Sequence, residues 1–204
     1  MAEPTPSPAR SVARVATVLV VAGLAGAATS LLQTVLPAAV ASFANSAGSW
    51  CLVAWLLARP AGSAPRGAAV AVLALVALVA GYYAVAHLRG FSVSPGSVGF
   101  WLVAAATVGP VLGVGAVWSR RARGWRRVLG ALVLPGLLVA EAAYGLALLR
   151  ASTSTGYWAT EGLVGVGLGV ALVAERTTAR ARRRVAAVFA ESDNPGWPGT
   201  RRLR

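Results

Sequence analysis

Charged residues and the common ligands of metals are scarce in this sequence. Its 204 residues include no lysine and a single cysteine, histidine and aspartate, and only 12% of them are charged. Cys51 therefore has no partner within the chain for a disulfide, and with His87 alone it forms no Cys/His metal framework. Because Asp193 is the only aspartate, paired-aspartate phosphoryl chemistry is disfavoured as well. We expect no metal and no cofactor.

Long apolar runs stand where a soluble protein would carry its charges. Hydrophobic residues make up 57% of the chain, and a soluble domain has about 25% charged residues. An apolar helix of about 20 residues crosses the ~30 Å hydrocarbon layer of a membrane. The sequence predicts an all-α polytopic membrane bundle of six transmembrane helices. The six runs are approximately Val15–Leu36, Phe43–Ala58 (the shortest), Gly67–Leu88, Gly96–Trp118, Val128–Leu149 and Tyr157–Ala174.

The runs divide the chain into a short disordered cytoplasmic tail (1–12), a membrane domain (13–176) and a basic cytoplasmic tail (177–204). The first run also resembles a cleavable secretory signal, because Arg10 and Arg14 precede it and small residues follow at 25–27. It continues well past those small residues to Leu36. We therefore interpret it as a helix that is retained, with a cleaved signal as the alternative.

The arginines predict the orientation. Seventeen of the 19 lie in the two tails and in alternate connections, and only Arg89 and Arg150 lie in the remaining connections. Cytoplasmic loops are the arginine-rich ones in membrane proteins, so an even number of crossings places both termini in the cytoplasm. Arginine without lysine, together with abundant Ala, Gly and Val, indicates a GC-rich bacterial genome. The expected location is the bacterial inner membrane.

The net charge of +13 also bears on partners. A pI near 11.8 would suggest nucleic acid as the partner of a soluble protein. Here the arginines flank apolar runs, so we predict no nucleic-acid partner. One cluster in the C-terminal tail is instead suited to anionic lipids; it consists of Arg180, Arg182, Arg183 and Arg184.

A short motif, S-x-G-x-W, opens every second run. It occurs at Ser46–Trp50, Ser97–Trp101 and Ser154–Trp158. Three hairpin turns can share it for ordinary reasons, because serine caps helices, glycine permits tight turns and tryptophan favours the membrane interface. The alternative is three copies of one helical hairpin around a common axis, as parallel repeats in some transporters are.

Polar side chains inside the apolar runs are candidates for function because they are costly in hydrocarbon. Glu141 is the most informative, since it lies deep in the fifth run with Tyr144 three residues further on the same face. We predict a pocket open to the outer side, lined by polar residues and rimmed by tryptophans. The alternative for Glu141 is a structural hydrogen bond to Gln33, Tyr144 or a serine. The candidate residues are Gln33, Asn45, Tyr83, Glu141, Tyr144 and Glu161, with Trp50, Trp101 and Trp158 at the mouth.

Three functions are compatible with these residues. No G-x-S-x-G nucleophile, H-E-x-x-H zinc motif or Walker loop is present, which argues against an enzyme. The best interpretation is a small-solute binding or transport module whose two acids and aromatic rings suit a cationic or amine-bearing ligand. The alternatives are a non-catalytic membrane subunit or scaffold, and an intramembrane enzyme that uses Glu141 and Glu161 on a lipophilic substrate.

Three segments resemble a known family. They are Thr29–Thr34, Ala44–Trp50 and Ser92–Ser97, and with them the chain resembles a family of actinobacterial integral membrane proteins classed only as a domain of unknown function. The resemblance covers the first to fifth helices. It implies residence in the bacterial inner membrane and no particular activity. In size and helix count the chain is also similar to the small substrate-binding components of vitamin uptake systems, which is an analogy of fold alone.

Overall fold

The computed structural model describes residues 8–44, 46–149, 151 and 153–192. Its described part consists of helices and connections, without strands. A five-residue π-helical turn, Gly145–Leu149, continues α6. The last helix extends into the segment predicted as the basic tail. The helices are α1 (Pro8–Val35), α2 (Ala38–Ala44), α3 (Ala47–Ala58), α4 (Ala64–Leu88), α5 (Pro95–Arg121), α6 (Gly124–Tyr144) and α7 (Thr155–Ser192).

Five helices are long and apolar enough to cross a membrane, which confirms the prediction of an all-α, multi-pass membrane bundle. Each has at least 20 apolar-rich residues, as a ~30 Å hydrocarbon layer requires. Six transmembrane helices are not confirmed. The five segments are Ser11–Val35, Ala64–Leu88, Pro95–Arg121, Gly124–Leu149 and Thr155–Ala174.

The second predicted helix is instead broken into α2 and α3. The helix α3 has 12 residues and is about 18 Å long at 1.5 Å per residue, too short to cross by itself. Ser46 caps it, because the Ser46 side chain accepts a hydrogen bond of 3.4 Å from the backbone N–H of Ser49. The chain thus starts a helix within the bundle rather than at its surface.

The helices α1 and α4 pack closely and run in the same direction. Near the middle of both helices, Gly26 lies directly against the backbone of Leu78. At their C-terminal ends, Arg89 donates hydrogen bonds to the backbone carbonyl of Ser30 and to the hydroxyl of Thr34. Because α1 and α4 are parallel, the segment that contains α2 and α3 returns the chain to the side on which α1 began.

The later helices alternate in direction. Gly67 near the start of α4 lies against Gly113 near the end of α5, so these two helices are antiparallel. The same holds for α5 and α6, where Gly115 contacts Val133 and Gly130 contacts Ser119. These glycines bring α5 and α6 together at the end near the arginine-rich turn between them. Small residues permit such close approach of backbones in lipid.

The short helix α3 occupies the centre of the bundle. It contacts α1, α4, α5 and α6, and Trp50, Ala54, Trp55 and Ala58 on it are buried. The position of α3 keeps α5 and α6 apart over the halves of these helices that lie away from the arginine-rich turn, beyond their contact at Gly115. A space therefore opens between α5 and α6 at the end of the bundle with few arginines.

The three S-x-G-x-W motifs are not equivalent in the structure, and a threefold repeat is not confirmed. Ser46 and Ser154 directly precede α3 and α7, whereas Ser97 lies inside the first turn of α5. The glycines of the first two motifs differ in their packing, because Gly48 is packed tightly and Gly99 has open space around it. The shared motif therefore reflects turn chemistry in part, while its first copy has a packing role of its own.

Candidate functional site

The centre of the site is a hydrogen-bonded contact between α6 and the beginning of α3. The carboxyl group of Glu141 accepts hydrogen bonds from the backbone N–H groups of Ala47 at 2.9 Å and Gly48 at 2.5 Å. These are the first residues of α3, whose initial N–H groups have no acceptor within the helix. A carboxylate is also favoured there by the helix dipole. Glu141 therefore caps α3 from a different helix.

A second carboxyl group completes this centre. The Ser46 hydroxyl donates to Oε1 of Glu161 at 2.8 Å and also lies 3.4 Å from Oε1 of Glu141. Glu161 comes from the first turns of α7 and is only 4% exposed. The hydroxyl thus connects two acids from two helices to the cap of a third. Bringing like-charged groups so close in a low-dielectric interior is expensive unless donors surround them.

Glycine at position 48 is what allows the two acids to approach α3. A Cβ atom there would lie 2.7 Å from Oε1 of Glu161 and 3.0 Å from Oε2 of Glu141. Any larger residue would displace at least one carboxyl group. The requirement is specific to this copy of the motif, because a Cβ at Gly99 would meet no atom within 4 Å.

Several buried polar atoms beside the acids have no hydrogen-bond partner within the described residues. They are Oε2 of Glu161, the hydroxyl of Tyr157 and Nε1 of Trp158. Buried polar groups are normally paired, so three such atoms in one place mark a site whose hydrogen bonding is incomplete in this arrangement. Within the described residues no group of three or more His, Cys, Asp and Glu side chains could hold a metal ion.

A cleft of about 580 Å³ opens beside the acids. It lies between α5 and α6, with the α2–α3 junction behind it and the α6–α7 connection at its rim. Apart from Glu141 and a few hydroxyl groups, the walls are aromatic and aliphatic, so the predicted polar lining is only partly present. The residues around it are Ser42, Ser46, Ala47, Gly48, Cys51, Phe100, Trp101, Ala104, Val108, Leu137, Ala140, Glu141, Tyr144, Leu149, Thr153, Tyr157 and Trp158.

The structure brings four of the nine predicted site residues to this cleft. Glu141, Tyr144, Trp101 and Trp158 line it, and Glu161 contacts Ser46 just behind the wall. Tyr144 is 56% exposed at the rim.

Trp50 belongs to a neighbouring aromatic group, with its ring 5.7 Å from that of Trp101. It lines a small apolar cavity of about 60 Å³ that shares Ala47, Cys51 and Trp101 with the wall of the cleft.

Two predicted residues lie elsewhere, and a third cannot be placed. Gln33 accepts a hydrogen bond of 3.2 Å from the hydroxyl of Tyr82, on the α1–α4 side of the bundle. The ring of Tyr83 packs edge-on against that of Tyr82, with the centroids 5.1 Å apart. Neither Gln33 nor Tyr83 lines the cleft. Asn45 lies outside the described residues.

Comparison with known proteins identifies the family. Residues 5–192 match the model of a family described as a family of unknown function (DUF6518). The chain belongs to this family. The membership confirms the resemblance to an uncharacterised family, and it assigns no activity. No curated protein and no solved structure matches the chain.

Residues central to the site were missed at the level of sequence. Ser46 and Gly48 appeared there only as turn residues of the repeated motif, and Tyr157 was not considered. The signal that could have found them is the coincidence of a capping serine with an apolar run too short to cross a membrane. A helix that starts within the bundle needs acceptors for its first N–H groups, and Glu141 is the available anion.

The two acids are expected to differ in their effect on stability. Glutamine at position 141 would turn an amide N–H₂ towards one of the α3 N–H groups. Glu141→Gln should therefore lower the free energy of unfolding by about 1.5–3 kcal/mol, the value of a hydrogen bond to a charged group. Glu161→Gln keeps an acceptor for Ser46 and removes a buried charge, so its melting temperature should equal or exceed the original. Thermal unfolding in detergent measures both. Equal losses of stability in the two variants would contradict the assignment of Glu141, and not Glu161, as the acid that caps α3.

Proposed function

We propose that the protein resides in the bacterial inner membrane with both termini in the cytoplasm, and that α2 and α3 together form a sixth, broken crossing. The parallel packing of α1 and α4 supports the broken crossing, because residues 36–63 must return to the side where α1 begins. The concentration of arginines in the α5–α6 turn supports the orientation.

Reporter fusions test this topology. A reporter joined after Arg59 or Arg123 should read as cytoplasmic, and one joined after Gly90 should read as external. If the α2–α3 segment did not cross, the two readings would be exchanged, with Arg59 external and Gly90 cytoplasmic, because α4 alone separates them. An external reading at Arg123 would contradict the proposed orientation.

We further propose that the outer cleft binds a small amphipathic solute carrying a protonated amine, as part of a binding or transport module. The observation that carries this proposal is the buried carboxyl group of Glu161, which has one oxygen without a partner just behind the wall of an open cleft. An ammonium group that enters between the wall residues and this oxygen would supply the missing donor and balance charge within the acidic pair. Such pairing is what a buried carboxylate needs for stability.

The remaining surfaces of the cleft agree with this class of ligand. Its volume of about 580 Å³ lies within the range of small-molecule sites. The aromatic faces of Trp101, Tyr157 and Trp158 attract cations, and the aliphatic walls suit a hydrocarbon portion. A purely polar solute would leave those walls unmatched, so the ligand should be amphipathic.

The broken helix favours transport over binding alone. Discontinuous helices line substrate sites in many secondary transporters, where the N-terminus of a half-helix faces an anionic group. Here the N-terminus of α3 faces Glu141, an anion of the protein itself. A ligand that changes the charge of the acidic pair would therefore change the hydrogen bonds that hold α3 in position.

Two other functions each have one observation in their favour. The hydrogen bonds of Glu141 to α3 are those of a structural lock, which favours a non-catalytic membrane subunit. The mostly apolar walls beside two carboxyl groups favour an enzyme that acts on a lipophilic substrate. Neither accounts for the orphaned oxygen of Glu161 as directly as an amine ligand does.

Amine binding can be tested by thermal unfolding in detergent with n-hexylammonium. The neutral probe of equal chain length is 1-hexanol. The ammonium ion should stabilise the original protein, by about 2.7 kcal/mol when its concentration is 100 times the dissociation constant. It should not stabilise Glu161→Gln, which lacks the charge. Tyr83→Phe, altered outside the cleft, is the matched control and should respond as the original does. Equal stabilisation by hexanol, or an undiminished response of Glu161→Gln, would refute the proposal.

A further inference from the structure

A dense group of arginines surrounds the turn between α5 and α6, at the end of the bundle opposite the cleft. All five side chains are exposed, and residues 95–136, which include the turn and much of both helices, contain no aspartate or glutamate. This segment of the sequence therefore contributes five positive charges and no negative one. The arginines are Arg120, Arg121, Arg123, Arg126 and Arg127.

One of these arginines is held at a defined place by two tryptophans. The guanidinium carbon of Arg126 lies 5.7 Å from the ring centre of Trp118 and 5.6 Å from that of Trp125. The two rings meet edge to face at 6.4 Å. Cation–π contacts of this kind fix a guanidinium group, and tryptophan marks the level of the lipid headgroups. An arginine held beside two tryptophans is therefore suited to contact a lipid phosphate.

An apolar groove begins at the same tryptophan and extends towards the middle of the membrane. It has a volume of about 540 Å³, and from Trp118 to Pro110 it follows α5 for about 12 Å at 1.5 Å per residue. Its surface is open, with Val111 55% and Leu129 49% exposed. The residues that form it are Pro110, Val111, Val114, Gly115, Trp118, Leu129, Leu132 and Val133.

We propose that this groove and the arginines above it form a binding site for one phospholipid with an anionic headgroup. An acyl chain occupies the groove, and the phosphate lies beside Arg126 and its neighbouring arginines. A phospholipid accounts for both the groove and the arginines. A transmembrane helix of a partner would fill the groove but would not explain the arginines, and a soluble anion would bind the arginines but would not explain the groove. The proposal uses none of the C-terminal arginines and does not depend on the proposed amine ligand.

Native mass spectrometry of the full chain with dioleoyl-phosphatidylglycerol and dioleoyl-phosphatidylcholine tests the site. We expect the anionic lipid to be retained preferentially, and Arg126→Gln to reduce its affinity about fivefold, the effect of one basic residue at a membrane surface. Arg66→Gln, which removes the same charge from the arginine-rich side away from the groove, is the matched control and should change little. Equal retention of both lipids, or equal effects of the two variants, would show only diffuse surface charge and overturn the proposal.

A second variant tests the groove itself without altering charge. Val111→Trp places a large ring in the groove on a lipid-facing position, where it does not disturb the core. It should release phosphatidylglycerol as Arg126→Gln does, while an excess of water-soluble glycerol phosphate should fail to displace the lipid from the original protein. Undiminished lipid binding by Val111→Trp, or displacement by glycerol phosphate, would mean that no acyl chain is held there and would overturn the proposal.

Discussion

The hydrogen bonds between Glu141 and the first N–H groups of α3 are the interaction on which the rest of the site depends. A helix that begins inside a membrane bundle has backbone donors that need acceptors, and each group left unsatisfied in hydrocarbon costs several kcal/mol. Glu141 and Ser46 satisfy these donors at Ala47, Gly48 and Ser49. Without them the chain has no physical reason to start α3 at this depth rather than at the membrane surface.

The position of α3 in turn shapes the cleft. The helix α3 is anchored at its N-terminus, and its side chains Trp50 and Trp55 are buried. It therefore fills the centre of the bundle and separates the start of α5 from the end of α6. The close contact at Gly115 keeps the same helices together at the other end. The cap, the packing at Gly48 and the shape of the cleft are thus consequences of one arrangement, in which a structural acid and a half-paired acid lie side by side.

The sequence was sufficient to predict the membrane bundle, because length and hydropathy depend little on tertiary contacts. It also singled out Glu141 as a charged residue in an apolar run, and the structure places that residue at the start of α3. The division of this run into α2 and α3 was not predicted, since an apolar run shows its length and not where its helix starts. The prediction of Gln33 and Tyr83 as cleft residues came from helical depth alone, and depth does not decide which neighbouring helix a side chain meets. Tyr82, one residue away from Tyr83, is the partner of Gln33. Ser46 could be recognised as a cap, but the acids that it contacts, Glu141 and Glu161, lie 95 and 115 positions further along the sequence.

Amide hydrogen exchange at Ala47 and Gly48, followed by NMR of the detergent-solubilised protein, tests the cap most directly. If the Glu141 carboxyl group holds these N–H groups, both should exchange slowly in the original protein and about tenfold faster or more in Glu141→Ala, as expected for loss of a hydrogen bond of about 1.5 kcal/mol. Amides in the middle of α4 should be unchanged and serve as the internal reference. Exchange at Ala47 and Gly48 that is equally slow in Glu141→Ala would contradict the account, because α3 would then begin at its place without the acid.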